Sequence, residues 1–241
     1  MFNLNLFKNI GVSLYLFIYL IIPYSARTQT LKVEFIKNLE NALNIRDLEF
    51  IRKNFSNDEN ENLISQFLMI TDDFPDSKWK IKRLKSNISN KDILRIKVSG
   101  KKIVNHEIHI LESNFDYLFS IVNGKIYEGI IKNLFTTIRN DNKKIEIIFK
   151  IPDKVLTGSR YDIDIILNKP LEEVIIAGAI KPYRANSFFE EEIILEPLSS
   201  GGIFKMTRAP SNPGIQIWSG IIAHPQGMIT FTKSIDIVDN L

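Results

Sequence analysis

The fold is decided by one stretch near the middle of the chain, residues 119–126, which reads FSIVNGKI. Asn123 and Gly124 stand between two apolar runs, and both residues tolerate the positive φ angles of a type I′ turn. The dipeptide predicts a tight hairpin between strands at residues 114–122 and 125–134. The centre of the chain is therefore predicted to be antiparallel sheet.

Upstream of this hairpin, the pattern predicts more strands and then helices. Strand-like runs occupy residues 78–85, 93–99 and 102–111, with a turn predicted at Ser99-Gly100. Between residues 30 and 74, apolar side chains recur at helical spacing and predict three amphipathic helices. Asp47 is placed to cap the second helix, and Pro75 ends the third. This order predicts an α+β fold, with N-terminal helices packed on a curved antiparallel sheet.

Downstream of the hairpin, residues 139–142 form a polar break, where we predict a boundary between two domains. Seven short strand-like runs follow without a helical stripe, and turn signals separate them. They lie at residues 145–151, 161–167, 174–180, 191–195, 202–206, 215–223 and 228–238. This spacing predicts an all-β sandwich of immunoglobulin-like size. The predicted organisation is a signal peptide (1–26), an α+β domain (27–138) and a β-sandwich (143–241).

The leading segment has the layout of a secretory signal peptide, with Lys8 before an apolar run at residues 10–22 and small residues up to Ala26. A membrane-spanning helix needs about 20 apolar residues, and Pro23 ends this run early. We therefore predict cleavage after Ala26 and export to the periplasm or a thylakoid lumen. The alternative is an uncleaved N-terminal membrane anchor, because the segment carries a single positive side chain.

The composition excludes several classes of site. The chain has no cysteine, which rules out disulfides, a thiol nucleophile and thiolate metal ligands. It holds no glycine-rich phosphate loop, nucleophile elbow or calcium loop, and no cofactor is predicted. Lys and Arg number 31 against 28 Asp and Glu, so the net charge does not indicate a nucleic-acid partner.

Two parts of the chain resemble known families. Residues 41–49 (NALNIRDLE) with Phe55 resemble the helix-one to helix-two junction of nuclear transport factor 2-like domains, and residues 119–126 resemble their last hairpin. This resemblance covers residues 31–137 and implies a cone whose mouth holds a small molecule. Enzymes such as ketosteroid isomerase and scytalone dehydratase share that fold with members that catalyse nothing. Residues 217–238 resemble the final hairpin of immunoglobulin-like domains, although the cysteine pair of antibody domains is absent.

Catalysis in such a cone requires an acid or base that projects inward among apolar residues. The candidate cavity residues are His106, Tyr117 and Tyr127. Asp116 and Tyr117 point to opposite faces of one strand, and so do His106 and His109, so neither pair acts together. We interpret His106 as a packed imidazole and Tyr117 as a core residue, and we predict no catalytic residue and no metal site. A small-molecule binder or an enzyme that uses the cone stays the alternative function.

One asymmetry of charge indicates a binding surface. Between residues 78 and 102 there are ten Lys or Arg residues and one acidic residue. If the two strands in this region pair, Lys80, Lys82, Arg95 and Lys97 line one solvent face. Such a face predicts binding to an anionic membrane surface or an acidic protein, whereas the alternative is that these lysines protect a sheet edge from aggregation. The predicted function is that of an exported, non-enzymatic, two-domain binding or assembly protein.

Overall fold

The computed structural model describes residues 32–88, 90–140, 145–168, 174–183, 194–198 and 201–240. Three helices lie in its N-terminal part: α1 (Val33–Ile45), α2 (Leu48–Asn54) and α3 (Asn57–Asp73). The cap predicted for α2 is confirmed, because the Asp47 carboxylate accepts a hydrogen bond from the Phe50 N–H at 2.9 Å. The predicted signal segment, residues 1–26, lies outside the described residues.

Strands make up most of the remaining described residues, and all but one of their pairings are antiparallel. In chain order they are β1 (Lys78–Leu84), β2 (Asp92–Val104), β3 (Glu107–Val122), β4 (Lys125–Asn140), β5 (Ile147–Lys150), β6 (Lys154–Leu156), β7 (Arg160–Leu167), β8 (Ala177–Pro182), β9 (Glu196–Pro197), β10 (Gly202–Arg208), β11 (Gly214–His224) and β12 (Gly227–Val238). A nine-stranded sheet has the order β1-β2-β3-β4-β12-β11-β8-β9, with β6 also paired to β12 in the parallel direction. A second, three-stranded sheet has the order β10-β7-β5.

The predicted fold class, α+β with helices on a curved sheet followed by an all-β sandwich domain, is wrong. Strand residues far outnumber helical residues in the part of the chain that the structure describes, and one large antiparallel sheet extends through both halves of the chain. The physical reason is the length of β12, which has 12 residues. Its first part pairs with β4, so main-chain hydrogen bonds join the two halves, and its last part pairs with β6 of its own half.

The predicted polar break at residues 139–142 falls at the end of β4. Arg139 and Asn140 complete this strand, while residues 141 and 142 lie outside the described residues. The Asn140 Oδ1 accepts a hydrogen bond from the Met228 N–H at 3.0 Å, next to the β11–β12 turn. The end of β4 is therefore anchored on the C-terminal half.

Two hydrophobic cores stabilise the protein. The first lies between the helices and β1–β4, where Leu39 and Phe67 pack with Trp79. The second lies between the three-stranded sheet and the β12–β11 part of the large sheet, where Ile165 packs with Phe231. Each core buries one face of a different part of the same sheet.

The strand register places these two cores on opposite faces of the large sheet. Residues paired across neighbouring strands point to the same face, whereas successive residues of a strand point to opposite faces. Phe231 of the second core pairs with Thr137 of β4. The row of paired residues continues through Glu112 of β3 and Ser99 of β2 to Lys78 of β1. Trp79 of the first core is the next residue along β1 and points to the other face. The three-stranded sheet consequently rises from the face that carries Lys78.

The turn predicted at Ser99-Gly100 is wrong, because β2 continues through both residues to Val104. A Cβ atom on Gly100 would lie 3.1 Å from the Cβ of Phe74, so the glycine permits close packing of the helix end on the strand. The turn falls instead at Asn105 and His106, whose φ angles are 51° and 68°. His106 is exposed there, which makes its interpretation as a packed imidazole wrong.

Between the large sheet and the three-stranded sheet, hydrogen-bonded side chains form a connection. The Trp218 indole on β11 donates to the Tyr161 hydroxyl on β7 at 2.9 Å, and that hydroxyl donates to Gln216 Oε1 at 2.7 Å. Burial raises the pKa of the Tyr161 phenol, so the group stays a neutral donor. The two sheets are thus joined by polar side chains, in a chain that has no cysteine for a disulfide.

Because β4 and β12 share main-chain hydrogen bonds, we expect the folded chain to unfold in one cooperative transition. Calorimetry should give a calorimetric enthalpy close to the van't Hoff enthalpy. Phe67→Ala removes a buried side chain of the first core at a cost of about 3–5 kcal/mol. It should lower the midpoint temperature of the single transition. A second transition that stays at the wild-type temperature in this variant would show that the halves unfold independently.

Candidate functional site

The pairing of β1 with β2 brings the four predicted basic residues together. Lys80 lies directly opposite Lys97, and Lys82 lies directly opposite Arg95. All four side chains point to the face of the sheet that the helices leave uncovered, and Lys78 extends the row by one position. The result is a patch of five cations on two neighbouring strands, here called the basic face.

Within the basic face, only Arg95 has an acidic partner among the described residues. Its Nε and Nη2 atoms donate to the two carboxylate oxygens of Asp116, at 2.8 and 2.9 Å. None of the four lysines forms a salt bridge with a described residue, and their side chains are exposed. Like charges placed directly opposite each other across a sheet are unfavourable. The lysines therefore leave a positive potential that an external anion can neutralise.

Asp116 is the buried counterion that holds Arg95 in place. Burial alone raises the pKa of this carboxyl, but hydrogen bonds from Arg95 and from Asn133 Nδ2 (2.8 Å), together with the charge of Arg95, outweigh burial and lower it. The carboxylate stays ionised well below neutral pH. Arg95 is consequently a structural member of the basic face, with its planar fork already occupied.

The edge of β1 is covered by side chains of α1. Asn44 accepts a hydrogen bond from the Trp79 N–H and donates one to the Trp79 carbonyl oxygen, both at 2.9 Å. Glu40 accepts a hydrogen bond from the Ile81 N–H at 2.7 Å. These contacts occupy the outward main-chain groups that another strand would use. Edge protection by the lysines is therefore not required over Trp79 and Ile81.

The basic face forms the floor of a groove of about 960 Å³ that reaches from β1 to β4. Besides the five cations, its lining includes Asn114 on β3 and Phe135 and Thr137 on β4. The Phe135 ring also packs edge-on against Phe149 of β5, with ring centroids 5.1 Å apart. The three-stranded sheet therefore stands beside the groove on the same face and makes the surface concave.

The candidate cavity residues are not brought together. Tyr117 is buried in the first core, stacked on Phe119 with ring centroids 5.3 Å apart. Tyr127 is exposed on β4, and His106 is exposed in the β2–β3 turn. The described interior between the helices and the sheet is packed with apolar side chains, which include Phe55, Phe67, Phe74, Trp79 and Phe119. The three candidates do not converge on one cavity.

Sequence reasoning missed Lys78, Asn114, Asp116 and Phe135 as parts of this site. Lys78 could have been found, because it continues the alternation of Lys80 and Lys82. The other three come from β3 and β4, and only the register of these strands brings them to the groove. No group of His, Asp and Glu within the described ranges could hold a metal ion, and none of the helices described here is long and apolar enough to span a bilayer.

Asp116→Asn should lower the free energy of unfolding at neutral pH by about 1–3 kcal/mol, because it removes charged hydrogen bonds from a buried site. The folded pKa of Asp116 lies below its unfolded value near 3.9. Its contribution is therefore present above that value and is lost as the pH falls through the folded pKa. Urea unfolding at a series of pH values should show that the free energy of unfolding falls less at acid pH in the variant than in the wild type.

Asp92→Asn is the matched control, since Asp92 pairs with Arg83 at 2.7 Å and its side chain is less buried than that of Asp116, with 18% exposed against 8%. This control should change stability by less than about 1 kcal/mol. Equal effects of the two substitutions would mean that the Arg95–Asp116 pair has no special role.

Comparison with known proteins identifies one family match. Residues 142–238 match a family described as Domain of unknown function (DUF8623), and this range includes strands β5 to β12. No curated protein and no solved structure matches the chain. The resemblances to nuclear transport factor 2-like and immunoglobulin-like domains therefore stay predictions.

Proposed function

We propose that this protein is an exported, non-enzymatic binding or assembly protein of the periplasm or thylakoid lumen, and that the basic face docks an acidic partner. The observation that carries the proposal is the group of four exposed lysines without a salt-bridge partner among the described residues. They lie on two adjacent strands, in a groove large enough for a ligand chain. Holding like charges together costs stability, and an acidic partner offsets that cost when it binds.

The arrangement of the C-terminal strands supports a role in interaction. We infer an immunoglobulin-like module, in which β10-β7-β5 correspond to strands E, B and A and β12-β11-β8 to strands G, F and C. In this correspondence Tyr161 and Trp218 lie on strands B and F, which the disulfide of antibody domains connects. Modules of this architecture are common in proteins that act by binding. The module here would hold the groove rigid through β12 and β4.

The order of residues in the leading segment supports export. The segment combines one basic residue, a short apolar run and a small-residue end at Ala26. The absence of cysteine leaves nothing in the chain for an oxidising compartment to modify by disulfide formation. Both features are compatible with a protein that works outside the cytoplasm.

We expect the protein recovered from its host to begin near Arg27, because Pro23 ends the apolar run before it can span a bilayer. Mass spectrometry of the intact protein from the soluble exported fraction checks this. Recovery of a chain that still contains residues 1–26, in the membrane pellet, would favour the uncleaved anchor.

The docking proposal is tested by removing the four lysines while Arg95 is kept. The variant Lys78→Gln, Lys80→Gln, Lys82→Gln, Lys97→Gln should bind poly-L-glutamate more than about tenfold more weakly, since each exposed charge pair contributes up to about 1 kcal/mol. Wild-type binding should weaken as salt shortens the Debye length from about 10 Å at 0.1 M. Titration by calorimetry or fluorescence anisotropy measures both effects.

The control removes the same number of charges outside the groove: Lys37→Gln, Lys53→Gln, Lys150→Gln, Lys154→Gln. It should bind as the wild type does. Both variants should keep a melting temperature near that of the wild type, because exposed charges contribute little to stability. If the two variants lose binding equally, the effect reflects net charge and the groove has no special role.

A further inference from the structure

We infer that the occupant of the groove is an extended segment of an acidic partner protein, with an acidic residue at every second position, lying along β1. This inference rests on the proposed function and names the partner class for the same site. Three properties of the groove carry it: the spacing of its cations, its shape, and the positions of two carboxylates beside the cations.

The spacing of the lysines matches an extended chain. Lys78, Lys80 and Lys82 occupy alternate positions of β1 and point to one face. Alternate residues of a strand are about 6.7 Å apart, and alternate side chains of an extended peptide have the same separation. A peptide that runs along β1 with acidic side chains at positions i, i+2 and i+4 can therefore place one carboxylate at each lysine. Lys97, opposite Lys80, contributes a second cation at the middle position.

The shape of the groove favours a narrow chain over a flat bilayer. The three-stranded sheet rises from the same face of the large sheet, and its boundary with the groove is the contact of Phe135 with Phe149. A planar lipid surface would meet the three-stranded sheet before it reached the floor of the groove. A narrow extended peptide can lie on the floor of the groove beside the three-stranded sheet.

Two carboxylates border the path along the lysines. Glu40 lies at the edge of β1, and Glu112 lies on β3 opposite Ser99, beyond β2. Both line the groove. A continuous anionic surface would face these carboxylates as well as the lysines, and like charges repel. A single partner peptide whose acidic residues point at the lysines avoids both Glu40 and Glu112.

Recognition depends on side chains, since the main chain of β1 is engaged. The outward groups of Trp79 and Ile81 are bound by Asn44 and Glu40, so a partner cannot extend the sheet there. The guanidinium of Arg95 is held by Asp116. The available donors are ammonium groups, which act as point charges and recognise spacing more than planar geometry.

The test compares two fluorescein-labelled peptides of identical composition, one with Glu and Ser alternating and one with the Glu residues contiguous. Anisotropy titration of the mature wild-type chain should give an affinity about three- to tenfold higher for the alternating peptide, because it places more of its carboxylates at lysines. The variant Lys78→Gln, Lys80→Gln, Lys82→Gln should lose this preference, with folding checked by circular dichroism. The variant Lys37→Gln, Lys53→Gln, Lys150→Gln is the control and should keep it.

Vesicles of phosphatidylglycerol and phosphatidylcholine form the third arm, and they should not sediment with the wild type at the same salt concentration. Equal affinity for the two peptides, with both dependent on the lysines, would overturn the alternating-segment inference and leave the proposed function standing. Lysine-dependent vesicle binding without peptide binding would identify a bilayer as the occupant and also overturn it. If no anionic probe binds, the proposed function and this inference fail together.

Discussion

The main-chain pairing of β4 with β12 is the constraint on which the rest of the structure depends. It merges the strands of both halves into one sheet, and strand alternation then places the helices and the three-stranded sheet on opposite faces. Beyond the last paired residues, side chains continue the connection. Ser234 Oγ accepts a hydrogen bond from the Leu134 N–H at 2.8 Å, and the buried Asp236 binds Lys132 at 2.9 Å. The groove exists because the pairing of β4 with β12 keeps the three-stranded sheet beside β1–β4.

The basic face shows how local electrostatic cost and function are related. Lys80 opposite Lys97 and Lys82 opposite Arg95 are unfavourable pairs by cross-strand rules. The buried Asp116 compensates for one of these cations, and water screens the exposed lysines. The remaining repulsion is that among the four lysines, and it is concentrated in the groove. Local violations of this kind are expected at functional sites, where an external ligand supplies the missing interaction.

The features that the sequence predicted correctly depend on neighbouring residues. Asn123 and Gly124 form the turn with φ angles of 51° and 77°, as the dipeptide predicts. Asp47 caps α2 because the groups involved lie three residues apart. The basic alternation on β1 and β2 was also visible, since it needs only the period of a strand. Even so, the turn at Gly100 was wrongly predicted, because the tight contact that favours a glycine there comes from Phe74, at the end of α3.

The role of each part of the site depended on contacts between distant parts of the chain. The cover on the β1 edge by Asn44 and Glu40, and the capture of Arg95 by Asp116, have no local signature in the sequence.

The sequence by itself determined the three helices, most of the strands, the turn at Asn123-Gly124 and the presence of an alternating basic strip, because these follow from the conformational preferences and spacing of adjacent residues. Only the tertiary structure decided that β4 and β12 pair, that the two cores lie on opposite faces, and that the lysines line a groove. The physical reason is that strand pairing uses main-chain groups which every residue carries, so the choice of partner strand is set by the packing of the whole chain.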